Sequence, residues 1–175
     1  VANTWRATSQ AVAFASGKSM IDVFNAAAST RFIRAYRLYQ FNNGTAAVAG
    51  VLTTMRVETI TTATVGTLIT PVAHDTGNAA LNANTTAGTG QTAAVQSLFR
   101  QYLWSNDEPT VSLATMDEWE LLVPFAEVWN AGYGDTAIQA LTCPAATARG
   151  VQIRQSGVSA VGSNDFEIEF TDAAA

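Results

Sequence analysis

The nearest this chain comes to a catalytic or metal-binding motif is His74 followed directly by Asp75. Acid/base chemistry recruits histidine most often, nucleophilic catalysis sets a serine or cysteine beside one, and structural metal sites need several Cys or His ligands. One His, one Cys (Cys143) and one Lys (Lys18) among 175 residues complete none of these sets. His74 therefore reads as a loop histidine bonded to its neighbours. The acidic cluster Asp117, Glu118 and Glu120 around Trp119 is the second place to look, because glycoside hydrolysis needs two carboxylates at a fixed separation. Acids in a helix's first turn are already favoured by the macrodipole, and that reading is preferred.

Trp104, Trp119, Trp129 and Tyr133 lie near loops and could form a sugar-stacking platform; the competing role for large aromatics is to fill a core or a subunit interface. The oxygen-rich runs at 75–78 and 106–108 match no calcium-loop spacing, and no glycine loop of phosphate-cradling type occurs. The expectation is a protein that is not an enzyme and needs no metal or cofactor.

Composition points to surfaces rather than reactions. Hydrophobic residues make up 48% and charged residues 13%, about half the usual charged fraction. The neutral surface comes mainly from 32 Ala and 23 Thr. Little like-charge repulsion opposes association, so a homo-oligomer is expected. A net charge of −5 offers no basic stripe for a phosphate backbone, which argues against a nucleic-acid partner. A lone cysteine forms no internal disulfide, and Cys143 reads as a small buried hydrophobe. No apolar run reaches the ~18 residues of a membrane span, and the first residues lack signal-peptide features. A soluble chain is expected. Eight of the nine cationic residues are arginine, and Arg34, Arg37, Arg100 and Arg154 are expected to pair with carboxylates across a sheet or a subunit boundary.

The elements that position these groups are mostly strands. Residues 1–8 show no clear period and read as an arm anchored by Trp5; together with a strand at 10–15 they form an N-terminal segment, 1–17. One β-sandwich domain, 18–175, follows. Strands are predicted at 20–26, 31–41, 46–62, 94–104, 125–129, 137–143, 151–155 and 165–171, with an Asn43-Gly44 hairpin turn between the second and third of these. In 31–41, strict alternation leaves both faces partly apolar, which suggests that one lines the core and the other meets another subunit. In 165–171, Phe166, Ile168 and Phe170 face one way and Asp165, Glu167, Glu169 and Thr171 the other. Residues 63–92, nearly uncharged and glycine-rich, read as a long loop system broken by a short strand near 67–72. A short helix is predicted near 115–123, with Thr115 and Glu118 as a capping box and Pro124 as its stop. Nine to eleven strands with turns between them predict an all-β, antiparallel, jelly-roll-like β-sandwich.

The segments GVLTTMRVETI from Gly50, TPVAHDT from Thr70, WSNDEP from Trp104 and GSNDFEIEF from Gly162 resemble small β-rich virion proteins of tailed bacteriophages, of the capsid-decoration (cement) or minor structural type. The resemblance covers most of the chain from about residue 18. It implies a jelly-roll-like subunit, often trimeric, assembled in the host cytoplasm into the virion and bound to the major capsid protein or other virion proteins. Candidate assembly contacts are Trp5, Arg34, Arg37, Tyr39, His74 and Asp75. The alternative is a carbohydrate- or receptor-binding virion module of fibre type, with Trp129 and Tyr133 as glycan contacts.

Overall fold

The computed structural model describes residues 3–42, 52–64, 66–105, 125–132, 139–157 and 162–174. The predicted helix at 115–123 with its acidic cluster, the Asn43-Gly44 turn and Tyr133 lie outside the described residues. Among the described residues every element is a strand, and no helix is long and apolar enough to cross a membrane.

The strands are β1 (Asn3–Ala13), β2 (Ser19–Asn25), β3 (Arg31–Asn42), β4 (Leu52–Ala63), β5 (Thr67–Ile69), β6 (Val72–Ala73), β7 (Thr85–Thr89), β8 (Ala93–Ser105), β9 (Phe125–Asn130), β10 (Leu141–Cys143), β11 (Arg149–Ser156) and β12 (Ser163–Ala174). They form two antiparallel six-stranded sheets. The first runs β10-β3-β12-β1-β6, with β9 also on β3; the second runs β5-β7-β2-β11-β4-β8. Because β10 pairs with Ile33 to Ala35 and β9 with Arg37 to Phe41, the two share one edge of β3 end to end.

Alternation builds the interface between the sheets. Phe166, Ile168 and Phe170 of β12 are fully buried and pack with Trp5 and Ala7 of β1 and Ile21, Val23, Val57, Val151 and Ile153 of the other sheet. Burying side chains of this size contributes about 1.5–3 kcal/mol each. One end of this core is polar. Tyr102 donates to Gln40 Oε1 (2.7 Å) and Gln40 Nε2 to Asn164 Oδ1 (2.9 Å), a hydrogen-bonded bridge from one sheet to the other. Burial raises the Tyr102 hydroxyl pKa far above its usual value, so it remains a donor.

Two differences from the sequence reading have physical causes. The predicted arm is a strand: β1 lies between β12 and β6, with Trp5, Ala7 and Ser9 inward and Arg6, Thr8 and Gln10 outward. A period carried by Trp, Ala and Ser hides from a hydrophobicity pattern. The facing within β3 also differs, because pairing with β12 shifts between Glu169 and Phe170 and leaves Tyr36 as an extra residue. That bulge puts Ile33, Ala35, Leu38 and Gln40 on one buried face. The outer face keeps Arg37 and Tyr39.

The predicted loop system 63–92 holds more strand than the one short strand expected, namely β5, β6 and β7. β4 continued by β5, and β8 preceded by β7, form one long ribbon, paired from Leu52–Ser105 to Ile69–Ala87. Near Thr64 and Thr92, joined by a 3.0 Å backbone bond, it leaves β11 and swings across to the far side of β2. The crossing is tight: a Cβ on Gly66 would lie 2.1 Å from the Thr89 carbonyl oxygen. It roofs the outer face of the second sheet, where Asp22 and Gln152 have no exposure and Glu58 only 1%.

Candidate functional site

The charged residues of the first sheet meet on its outer face because register aligns them. Arg6 of β1 sits opposite Glu169 of β12, Glu169 opposite Arg37 of β3, and Glu167 opposite Tyr39, which in turn faces Glu127 of β9. Arg6 Nη2 donates to Glu169 Oε1 at 2.5 Å, and its Nε lies 3.7 Å from Glu167. The hydrogen bond it donates to Glu169 holds the Arg6 guanidinium above its usual pKa. Tyr39 donates to Glu127 Oε2 (3.1 Å) and accepts from Arg37 Nη1 (3.2 Å), while Arg37 Nε lies 4.0 Å from Glu127. Burial raises the Tyr39 hydroxyl pKa.

His74 closes this ladder. Its backbone N–H donates to the Thr4 carbonyl, and its Nε2 lies 4.0 Å from Glu169 Oε1. It borders an open cleft of about 350 Å³ with Thr4, Tyr36, Gly132 and Thr171. Asp75 does not join His74; its Oδ1 accepts the Gly77 N–H at 2.8 Å and closes a turn. Among the described residues no three His, Cys, Asp or Glu side chains gather as a metal site.

The predicted site residues thus divide. Arg37, Tyr39 and His74 belong to one ladder. Arg34 stands apart, its guanidinium carbon 5.7 Å from the Phe32 ring centre. Trp5 is buried in its own core, so it is no free anchor for a docking arm. Of the other arginines, Arg154 pairs across the second sheet with Glu58 at 2.7 and 2.8 Å, as expected, whereas Arg100 donates to the Val128 carbonyl oxygen rather than to a carboxylate. Cys143 is buried, and burial pushes its thiol up to about 12. It is an inert core residue.

Trp129 of β9 stands where the two sheets part, against β8. Its indole meets Phe99 edge-on, with ring centres 5.8 Å apart and planes at 76°. Trp104 lies in the core. Sequence reasoning missed Arg6, placed in an arm, and Glu169, placed on the side of its strand away from Phe166, Ile168 and Phe170 although it is only 6% exposed. The period-two placement of Trp5, Ala7 and Ser9 was the available signal for Arg6. No family model, curated protein or solved structure matches this chain.

Proposed function

We propose that this chain is a virion structural subunit of the capsid-decoration type, a jelly roll that joins copies of itself into a trimer and binds an outer capsid lattice, with no catalytic step. The observation that carries the reading is where apolar surface lies. Leu68, Val72, Val95, Leu98, Phe99 and Leu103 are the large hydrophobic residues left exposed among the described residues, and all belong to β5, β6 or β8. Those strands are outer edges of the sheets. Edges of soluble monomers are usually blunted by lysine, proline or charge, whereas β8 carries one charged residue in 13.

The register supports two complementary edges. Val95, Leu98 and Leu103 lie opposite Ile60, Glu58 and Thr54, so they share the outer side of β8. Leu68 and Val72 lie on the opposite side of the molecule. A contact between unlike edges is heterologous, and copies joined that way close into a ring when the rotation allows.

The jelly-roll assignment is supported by the order of pairing. β1 pairs with β12, β2 with β11, β3 with β9 and β10, and β4 with β8. This is a long hairpin rolled into two sheets, the arrangement found in viral capsid and lectin domains among others. The ladder of Arg6, Glu169, Arg37, Tyr39 and His74 leaves a polar, self-neutralised face for a lattice partner.

Sedimentation at micromolar concentration tests the association: a trimer is expected, with Leu103→Lys and Leu68→Lys each giving a folded monomer. A parent protein that sediments as a monomer overturns it. Electron microscopy of particles incubated with the protein tests the lattice, and bare capsids at saturating protein would remove that half.

A further inference from the structure

The open side of the molecule, where β8 of one sheet approaches β9 and β10 of the other, holds a cleft of about 360 Å³. We infer that this cleft binds a neutral saccharide. Its lining has three chemical elements. Phe99 and Trp129 supply aromatic surface, set at 76° to one another. Gln96 and Gln139 supply side-chain amides, and Ser97 and Thr142 hydroxyls. Among the described residues no charged side chain lines it.

Each element excludes a ligand class. A phosphate, carboxylate or ammonium would enter without a counter-charge, which is costly away from water. A purely apolar ligand would desolvate both amides without replacing their hydrogen bonds. A sugar ring answers all three, since its C–H face packs on an aromatic ring while its hydroxyls donate to and accept from carboxamides and hydroxyls. The volume lies in the range of small-molecule sites and suits one ring.

The local fold explains why these groups are available. Pairing of β8 with β4 shifts between Val57 and Glu58, where Phe99 is the extra residue, and between Thr59 and Ile60, where Gln96 is. Bulges re-aim side chains at sheet edges. Gln96, Ser97 and Gln139 are exposed, and Phe99 is 45% exposed. The Trp129 Nε1 donor is buried without a protein acceptor, while Thr142 Oγ1 is steadied by the Ala140 carbonyl at 3.0 Å. The cleft is distinct from the outer apolar side of β8, and the inference does not rest on a virion role.

The test is a titration with D-glucose, D-galactose, D-mannose and N-acetyl-D-glucosamine, with D-glucuronate as the charged control. The readout is the Trp129 indole N–H resonance, assigned through Trp129→Phe. Saturable shifts at millimolar concentration from at least one neutral sugar are expected, with none from glucuronate. Phe99→Ala and Gln139→Ala should weaken binding roughly tenfold each, as loss of a central contact does, with unchanged melting temperature and, for Gln139→Ala, unchanged sedimentation. No saturable shift from any neutral sugar overturns the inference, as does equal binding by Phe99→Ala. A glycan array separates sources: array signal lost in Phe99→Ala marks a terminal residue of a glycan, and its absence beside monosaccharide binding marks a free sugar. Failure here leaves the sedimentation result untouched.

Discussion

The outer faces of the two sheets carry the same residue types under opposite conditions. On the first sheet, Arg6, Arg37, Glu127 and Glu167 form a ladder open to water, with side-chain exposures of 19–44%. On the second, Glu58 receives Gln152 Nε2 at 2.9 Å and two nitrogens of Arg154 beneath a roof of folded ribbon, and Asp22 lies on the other side of Gln152 without exposure. Coulomb attraction is weakened by water in the first place and sustained in the second. The lesson is that the roofed face governs stability and its pH dependence, whereas the open face is free to meet a partner.

Three measurements would break or sharpen that contrast. The largest effect belongs to Asp22, whose carboxyl burial raises to about 7 from 3.8, against a smaller lowering by the Ser19 hydroxyl at 2.8 Å. The native state therefore holds a proton that the unfolded chain releases, so stability falls as pH rises through this window and levels off above about 7. The span corresponds to roughly 4 kcal/mol. Asp22→Asn should flatten this part of the profile in urea denaturation from pH 4 to 8 and be the more stable protein at pH 8. An unchanged slope would mean that water reaches Asp22.

Next comes Glu58→Gln, which leaves the Arg154 guanidinium beneath the roof without its carboxylate and should cost about 3 kcal/mol by the same assay. A loss below 1 kcal/mol would show the roof to be wet. The smallest effect is at the open ladder. Glu127→Gln removes an exposed pair and should change stability by less than about 1 kcal/mol, with that change vanishing in high salt. A salt-independent loss would erase the distinction between the faces.

Much of the strand content was legible because one-sided burial writes itself as alternation, as in Phe166, Ile168 and Phe170. The strand from Arg31 was legible in extent but not in facing, since the bulge at Tyr36 is set by pairing with a strand more than a hundred residues away. The roof was illegible for a similar reason. Gly66 and Gly88 read as loop glycines, and only the folded ribbon shows that they permit close approach of the Thr89 carbonyl and the Gln91 amide. Of the site, the arginines and His74 announced themselves by type. Glu169 gave no sign of burial, and Gln96, Ser97 and Gln139 are ordinary surface residues until the sheet edges bring them together.

The nested pairing of the strands also sets a timetable. Val57 meets Arg100 across a modest stretch of chain, whereas Trp5 must wait for Phe170. Loop-closure entropy rises with the length enclosed, and non-local pairings are reached late. As the chain leaves the ribosome, the ribbon of β4, β5, β7 and β8 is the first long ladder it can complete, and β1, made first, is among the last strands seated. Until then the edge of β3 that β12 pairs and the indole of Trp5 are both uncovered, so the interval before β12 emerges is when this molecule is most open to wrong partners.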